Sequence, residues 1–175
     1  MIRKTQRIES TSNSGNGENI AKLSNFERVL ANSPAVFEAY SEYTQAIANG
    51  TIPAPLREKI ALVVSELNNS EYDVSAHSQR GSRVGLSEGE ITQSRLAESL
   101  DPRETDLLNF VQNTATKSGI LNDKEFEAVK RFRDDNAFTI EVIALIALTI
   151  FENLLNNLAH TTLDFPLVKE IPHQR

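Results

Sequence analysis

Cysteine is absent from all 175 residues. That excludes disulfides, zinc–thiolate centres, iron–sulfur clusters and every mechanism that runs through a thiol. Tryptophan is absent too, Met1 is the one methionine, and there are only 7 Gly and 6 Pro. A collagenous or low-complexity chain would hold far more of the last two. A basic excess is also missing: 24 acidic residues face 18 basic ones, for a net charge of −6. No whole-surface positive field exists to attract nucleic acid or anionic lipid, so neither is an expected partner. The longest unbroken apolar run is 142–148. A membrane-spanning helix needs about 20 such residues, so no membrane association is expected. No Gly-rich phosphate loop is present, so no nucleotide cofactor is implied.

What is there fits a soluble globular domain, with 39% apolar and 24% charged residues. Arg3, Lys4 and Arg7 near the N-terminus are not followed by an apolar stretch, so they do not begin a secretory signal. With no disulfide use, a cytoplasmic location is the expectation. The segment 9–19 is small and polar and cannot bury itself. We therefore expect a flexible tail over 1–20, one domain over 21–170 and a short tail over 171–175.

The rest punctuates itself into helices. Ser33-Pro34, Ser87-x-x-Glu90, Asp101-Pro102-x-Glu104 and Asn122-x-x-Glu125 are helix starts. They predict helices near 24–31, 34–49, 54–68, 71–84, 88–99, 102–118, 123–133 and 138–160. No useful stretch alternates with period two, so the fold class is all-α, with seven or eight helices. Leu56, Ile60, Val63, Val64 and Leu67 make one helical stripe. The last helix is apolar nearly all round, which predicts that other helices or other subunits wrap it.

The segment 57–77 looks organised for chemistry. Glu58 lies opposite its helix's main stripe, on a second face with Ala61, Leu62 and Ser65. On the next helix Asp73, Ala76, His77 and Arg80 share a face, and Asp73 and His77 are in reach of one another. A tight Asn68-Asn69 turn would fold the second helix back, bringing Glu58 to the Asp73–His77 pair across the seam. Such a cluster shifts pKa values and passes protons.

This stretch resembles the alkylhydroperoxidase AhpD-like / carboxymuconolactone decarboxylase family, on its peroxidase-related branch. The thiol-bearing members carry Glu, eleven residues, Cys-x-x-Cys, three residues and His. Glu58, Ser70, Asp73 and His77 stand at those four places, in the text ALVVSELNNSEYDVSAHSQRGSRVGLSEGEI. Asp101-Pro102, Phe151-x-Asn153 and Asp164-Phe165-Pro166 extend the likeness. The resemblance implies an AhpD-like helical bundle, a homo-oligomer (trimer or hexamer) and a peroxiredoxin-like activity. It makes Glu58 and His77 the proton relay of two catalytic thiols. Those thiols are here Ser70 and Asp73, and a hydroxyl cannot cycle through sulfenic acid and disulfide.

Other readings of the same residues stay open at this point. Ser70-x-x-Asp73 can be a capping box, Ser70 accepting the Asp73 N–H. A Ser70–His77–Glu58 hydrolase would need the nucleophile within about 3 Å of its base, against about 10 Å along one helix. Glu58, Asp73 and His77 suit a borderline divalent ion, although no metal motif accompanies them. A cysteine-independent acid/base enzyme would use His77 as proton donor or acceptor, with Arg80 or Arg83 clamping a substrate carboxylate. A non-catalytic binding protein, with a small-molecule ligand at Glu58 and His77, is the bland alternative. Tyr72 reads as a packing aromatic with a wet hydroxyl, and His160 as stabilising the end of the last helix.

The missing thiols give a direct prediction. The protein, given an organic hydroperoxide, a dithiol reductant and no added metal, shows no turnover. The double substitution Ser70→Cys with Asp73→Cys recovers measurable consumption of the peroxide in the same assay.

Overall fold

The computed structural model describes residues 5–11 and 22–171. Among them run eight helices and no strand: α1 (Asn25–Leu30), α2 (Pro34–Ala48), α3 (Ala54–Leu67), α4 (Glu71–Arg83), α5 (Glu88–Arg95), α6 (Pro102–Thr116), α7 (Asp123–Phe132) and α8 (Asn136–Ala159). Ser87 and Asn122 accept the N–H of Glu90 and Glu125, whose carboxylates bond back to the cap. Ser24 and Glu27 do the same at α1. Each box satisfies two N–H groups that a helix start leaves unpaired. Asp101 caps α6 through the Arg103 N–H, but Glu104 turns to Lys59 instead of the cap. α5 ends four residues before the expected limit, because the chain turns at Ala97, whose φ is 56°.

α3 is the central rod, packed by α4, α5, α6 and α8. Its stripe of Leu56, Ile60, Val63 and Val64 joins Leu107, Leu108 and Val111 of α6 and Phe138, Val142 and Ile146 of α8 in the main core. The opposite face is buried as well: Leu62 packs with Leu86 and Ile91. A second cluster of Phe26, Leu30, Phe37, Tyr72 and Ala76 joins α1, α2 and α4. Lys59, on the same rod, is buried and bonds Glu104 at 2.6 Å. An unpaired ammonium there would be costly.

α8 is long and apolar enough to cross a membrane by length and composition. Its inner face carries Thr149, Glu152, Asn153 and Asn156, all buried against other helices, so it is the core helix of a bundle. The expected wrapping is only half met within one chain. Ile140, Ile143, Phe151, Leu154 and Leu158 stay exposed along the other side.

Residues 1–4, 12–20 and 172–175 of the expected tails lie outside the described residues. Residues 5–11 lie against the bundle: Arg7 N–H donates to the Ala159 carbonyl and Thr11 N–H to that of Arg28. His160 sits at the end of the last helix, where the sequence places it. It closes α8 in the left-handed region (φ 51°), and its Nδ1 lies 3.1 Å from the Thr5 carbonyl. Tyr72 packs against Phe26 and Phe165 as expected, but its hydroxyl is not wet: it accepts the Phe26 N–H at 3.1 Å.

Two substitutions test this packing by denaturant unfolding. Leu107→Ala, at a fully buried site, costs about 2–5 kcal/mol. Asn122→Ala, which removes a capping box, costs about 1 kcal/mol.

Candidate functional site

The Asn68-Asn69 turn sets the site. Asn69 takes a φ of 51°, and Ser70 N–H closes back on the Ser65 carbonyl at 2.9 Å. α4 therefore returns along α3, and the face carrying Asp73, His77 and Arg80 meets Glu58. The contact expected from the spacing is present: His77 Nδ1 lies 2.8 Å from Glu58 Oε2. α8 covers the seam from the far side and adds Glu152, whose Oε2 is 3.7 Å from His77 Nε2. That is an ion-pair distance and too long for a hydrogen bond, so Glu152 acts on the ring by charge. Tyr40 of α2 donates its hydroxyl proton to Glu152 Oε1 at 2.6 Å.

Asp73 anchors a second set of bonds. Asn153 Nδ2 donates to its Oδ2 at 2.9 Å, and Asn156 Nδ2 to its Oδ1 at 2.9 Å. Ser70 Oγ also donates to Oδ2. The capping-box reading of Ser70 is therefore corrected. Its side chain makes no bond to the Asp73 N–H; the hydroxyl is engaged with the Asp73 carboxylate instead. The hydrolase reading falls with it, since the Ser70 hydroxyl serves Asp73 and not His77. Asn153 is itself held by Asn68 at 2.9 Å and reaches Ser65 Oγ at 3.2 Å. The site is thus a polar seam between three helices, with its buried carboxylates hydrogen-bonded and its amides oriented by their partners.

Asp73, His77 and Glu152 are buried, whereas Glu58 and Arg80 are partly exposed. Arg80 makes no ion pair within 4 Å with another described residue, although its charge is felt by Glu152, His77 and Asp73. Burial opposes its charge, but the acidic groups Glu152, Glu58 and Asp73 around it hold its guanidinium charged. Within the metal-ligand set expected from sequence, Asp73 and His77 come together, but Glu152 takes the place given to Glu58. One ligand atom from each of Asp73, His77 and Glu152 lies within 4.8 Å of the others, while Glu58 occupies the other ring nitrogen.

Sequence reasoning missed Glu152, Tyr40 and Asn156 as site residues, and Asn153 entered only through the resemblance. A signal was available. Glu152, Asn153 and Asn156 interrupt an otherwise apolar helix at spacings that put them on one face. A polar face in a core helix needs partners. Tyr40 had no such mark, since α2 is mostly exposed and only folding brings its ring to Glu152.

The seam shifts its own titrations. Burial and Arg80 both pull the His77 pKa down, but the carboxylates of Glu152 and Glu58 outweigh them and push it up to about 9. Burial and the Glu152 charge raise Asp73 above its ordinary range, against its bond from Ser70 and the charge of His77. Burial would raise Glu152 as well, but His77, Tyr40 and Arg80 together hold it below the usual carboxylate value. The Tyr40 hydroxyl is pushed up by burial and by Glu152, so it stays a proton donor.

Residues 34–113 match the model of the carboxymuconolactone decarboxylase family. The matched segment contains Glu58, Ser70, Asp73 and His77. No curated protein sequence matches the chain. Among solved structures, the fold is similar to that of the debrominase Bmp8 in complex with 2,3,4-tribromopyrrole, at TM-score 0.73 and 21% identity over 82% of this chain and 79% of that one. It is also similar to an AhpD-core, peroxidase-related protein from Ralstonia eutropha, at TM-score 0.73 and 23% identity over 80% and 76%. A peroxidase-related protein from Silicibacter sp. follows at TM-score 0.70 and 16% identity over 78% and 74%.

The raised His77 pKa has a signed consequence for stability. A group whose folded pKa stands at about 9, above its ordinary 6.5, contributes stability that is complete below 6.5 and lost as pH rises through 9. Thermal unfolding should show Tm falling between those values. His77→Gln flattens that limb and lowers Tm most at the acidic end.

Proposed function

From a chain whose residues 34–113 match the carboxymuconolactone decarboxylase family model and which folds as an AhpD-like bundle, we propose a cysteine-independent acid/base enzyme for a small carboxylate-bearing substrate. The reading rests on one observation: a buried imidazole is clasped by Glu58 on Nδ1 and faces Glu152 across Nε2. An imidazole with a pKa near 9 is protonated at neutral pH and serves as a general acid. Glu58 holds the ring and Glu152 balances its charge. Arg80, partly exposed and without an ion pair among the described residues, is the clamp for the substrate carboxylate. The substrate reaches His77 between Glu58 and Arg80. His77 gives its proton to the carbon or oxygen on which negative charge develops, as a decarboxylation requires.

Hydroperoxide reduction through a dithiol, which the resemblance implies, has no thiol to run on here. Ser70 and Asp73 take the structural part of this reading and orient the seam. Self-association belongs to the same proposal. What supports it is the exposed apolar side of α8, with Ile140 66%, Leu154 64% and Leu158 61% exposed, since such a stripe is normally covered.

The test is carbon dioxide release from carboxymuconolactone, the compound in the family's name, and from a panel of small keto and lactone acids. Turnover should depend on His77, with His77→Gln costing about 100-fold or more in kcat. Arg80→Gln should raise KM more than it lowers kcat. Turnover indifferent to His77→Gln, or robust thiol-dependent peroxide consumption by the unaltered protein, contradicts the proposal.

A further inference from the structure

We infer that Asp73, His77 and Glu152 form a binding site for a first-row divalent cation of the zinc type. The inference goes beyond the acid/base reading and stands on the geometry alone. His77 is 96% buried, since its relative exposure is 4%, and Nε2 has no hydrogen-bond partner. That nitrogen lies 3.7 Å from Glu152 Oε2, and one ligand atom from each of Asp73, His77 and Glu152 lies within 4.8 Å of the others. A cation bound there would give that buried nitrogen the partner it lacks among the described residues.

Each carboxylate has an electron pair to spare, and His77 Nε2 gains one when it gives up its proton. Asp73 Oδ2 is filled by Ser70 and Asn153, but Oδ1 takes only the Asn156 amide. Glu152 Oε1 takes the Tyr40 hydroxyl, while Oε2 faces the ring. Around a four-coordinate ion with bonds of about 2.1 Å, neighbouring ligand atoms stand roughly 3.4 Å apart. His77 Nε2 and Glu152 Oε2, at 3.7 Å, are close to that edge length. One imidazole and two carboxylates suit zinc, cobalt, manganese or ferrous iron, and three protein ligands leave a fourth position open.

The supporting bonds are also in place. A metal-bound histidine almost always donates its other N–H to a carboxylate or carbonyl. Here Glu58 sits 2.8 Å from Nδ1, which fixes Nε2 as the coordinating nitrogen. Tyr40 orients Glu152, and Asn156, Asn153 and Ser70 orient Asp73. Proton and cation exclude each other on Nε2, so metal loading releases a proton and silences His77 as an acid.

The experiment uses the full chain, stripped with chelator and dialysed against Zn2+, with bound metal read by elemental analysis and calorimetry. Co2+ serves as a visible-spectrum probe. The expected result is one equivalent of Zn2+ bound with proton release, and a four-coordinate Co2+ spectrum. His77→Gln and Glu152→Gln lose the ion. Glu58→Gln weakens it roughly 10- to 100-fold, and exposed Glu127→Gln changes nothing. Tyr40→Phe, which leaves every ligand in place, weakens binding with the fold intact and covers the case in which Glu152→Gln does not fold. Absence of bound Zn2+ in the unaltered protein, or one equivalent retained in His77→Gln, overturns the site. Because the readout needs no turnover, its failure is separate from failure of the decarboxylation assay.

Discussion

Burying three ionisable side chains in one seam is the constraint that the bundle is arranged around. Asp73, His77 and Glu152 lie where water cannot screen them, and each would cost several kcal/mol if left unpaired. The helices therefore have to deliver partners as well as apolar surface. α3 brings Glu58 and Ser65, α8 brings Asn153 and Asn156, and α2 brings Tyr40. The Asn68-Asn69 turn determines how α3 and α4 meet, and Asn68 also reaches across to Asn153. The same residues thus close the turn and tie down the third helix.

The same arrangement fills a cysteine-free site with hydrogen-bonded polar groups. At the two family cysteine positions, Ser70 and Asp73 bond to each other and Asp73 is drawn into the α8 amides. The relay pair of Glu58 and His77 keeps its contact. A fixed carboxylate beside an imidazole favours proton or cation chemistry over electron chemistry.

Most of the fold was legible because helix starts and turns are local. Ser87, Asn122 and Asp101 announce their helices within a few residues, and the α3 stripe shows its period directly. Where the reading slipped, a non-local or unusual backbone choice decided. Ala97 leaves the helix at a positive φ without a glycine to signal it. Glu104 abandons its cap for Lys59, a residue on another helix. The α3–α4 half of the site was legible for the same reason, since one short turn joins Glu58 to His77. The α8 half was not: Glu152 is 94 positions from Glu58 in sequence, and only packing brings them to the same ring. The polar face inside an apolar helix was the one available hint.

The most direct measurement is 15N NMR of the His77 imidazole in metal-free protein across the neutral and alkaline range. The account predicts a ring protonated on both nitrogens at pH 7, its Nδ1 proton held by Glu58, losing a proton only near pH 9. A neutral ring at pH 7 that titrates near the ordinary 6.5 and responds to neither Glu58→Gln nor Glu152→Gln would contradict it.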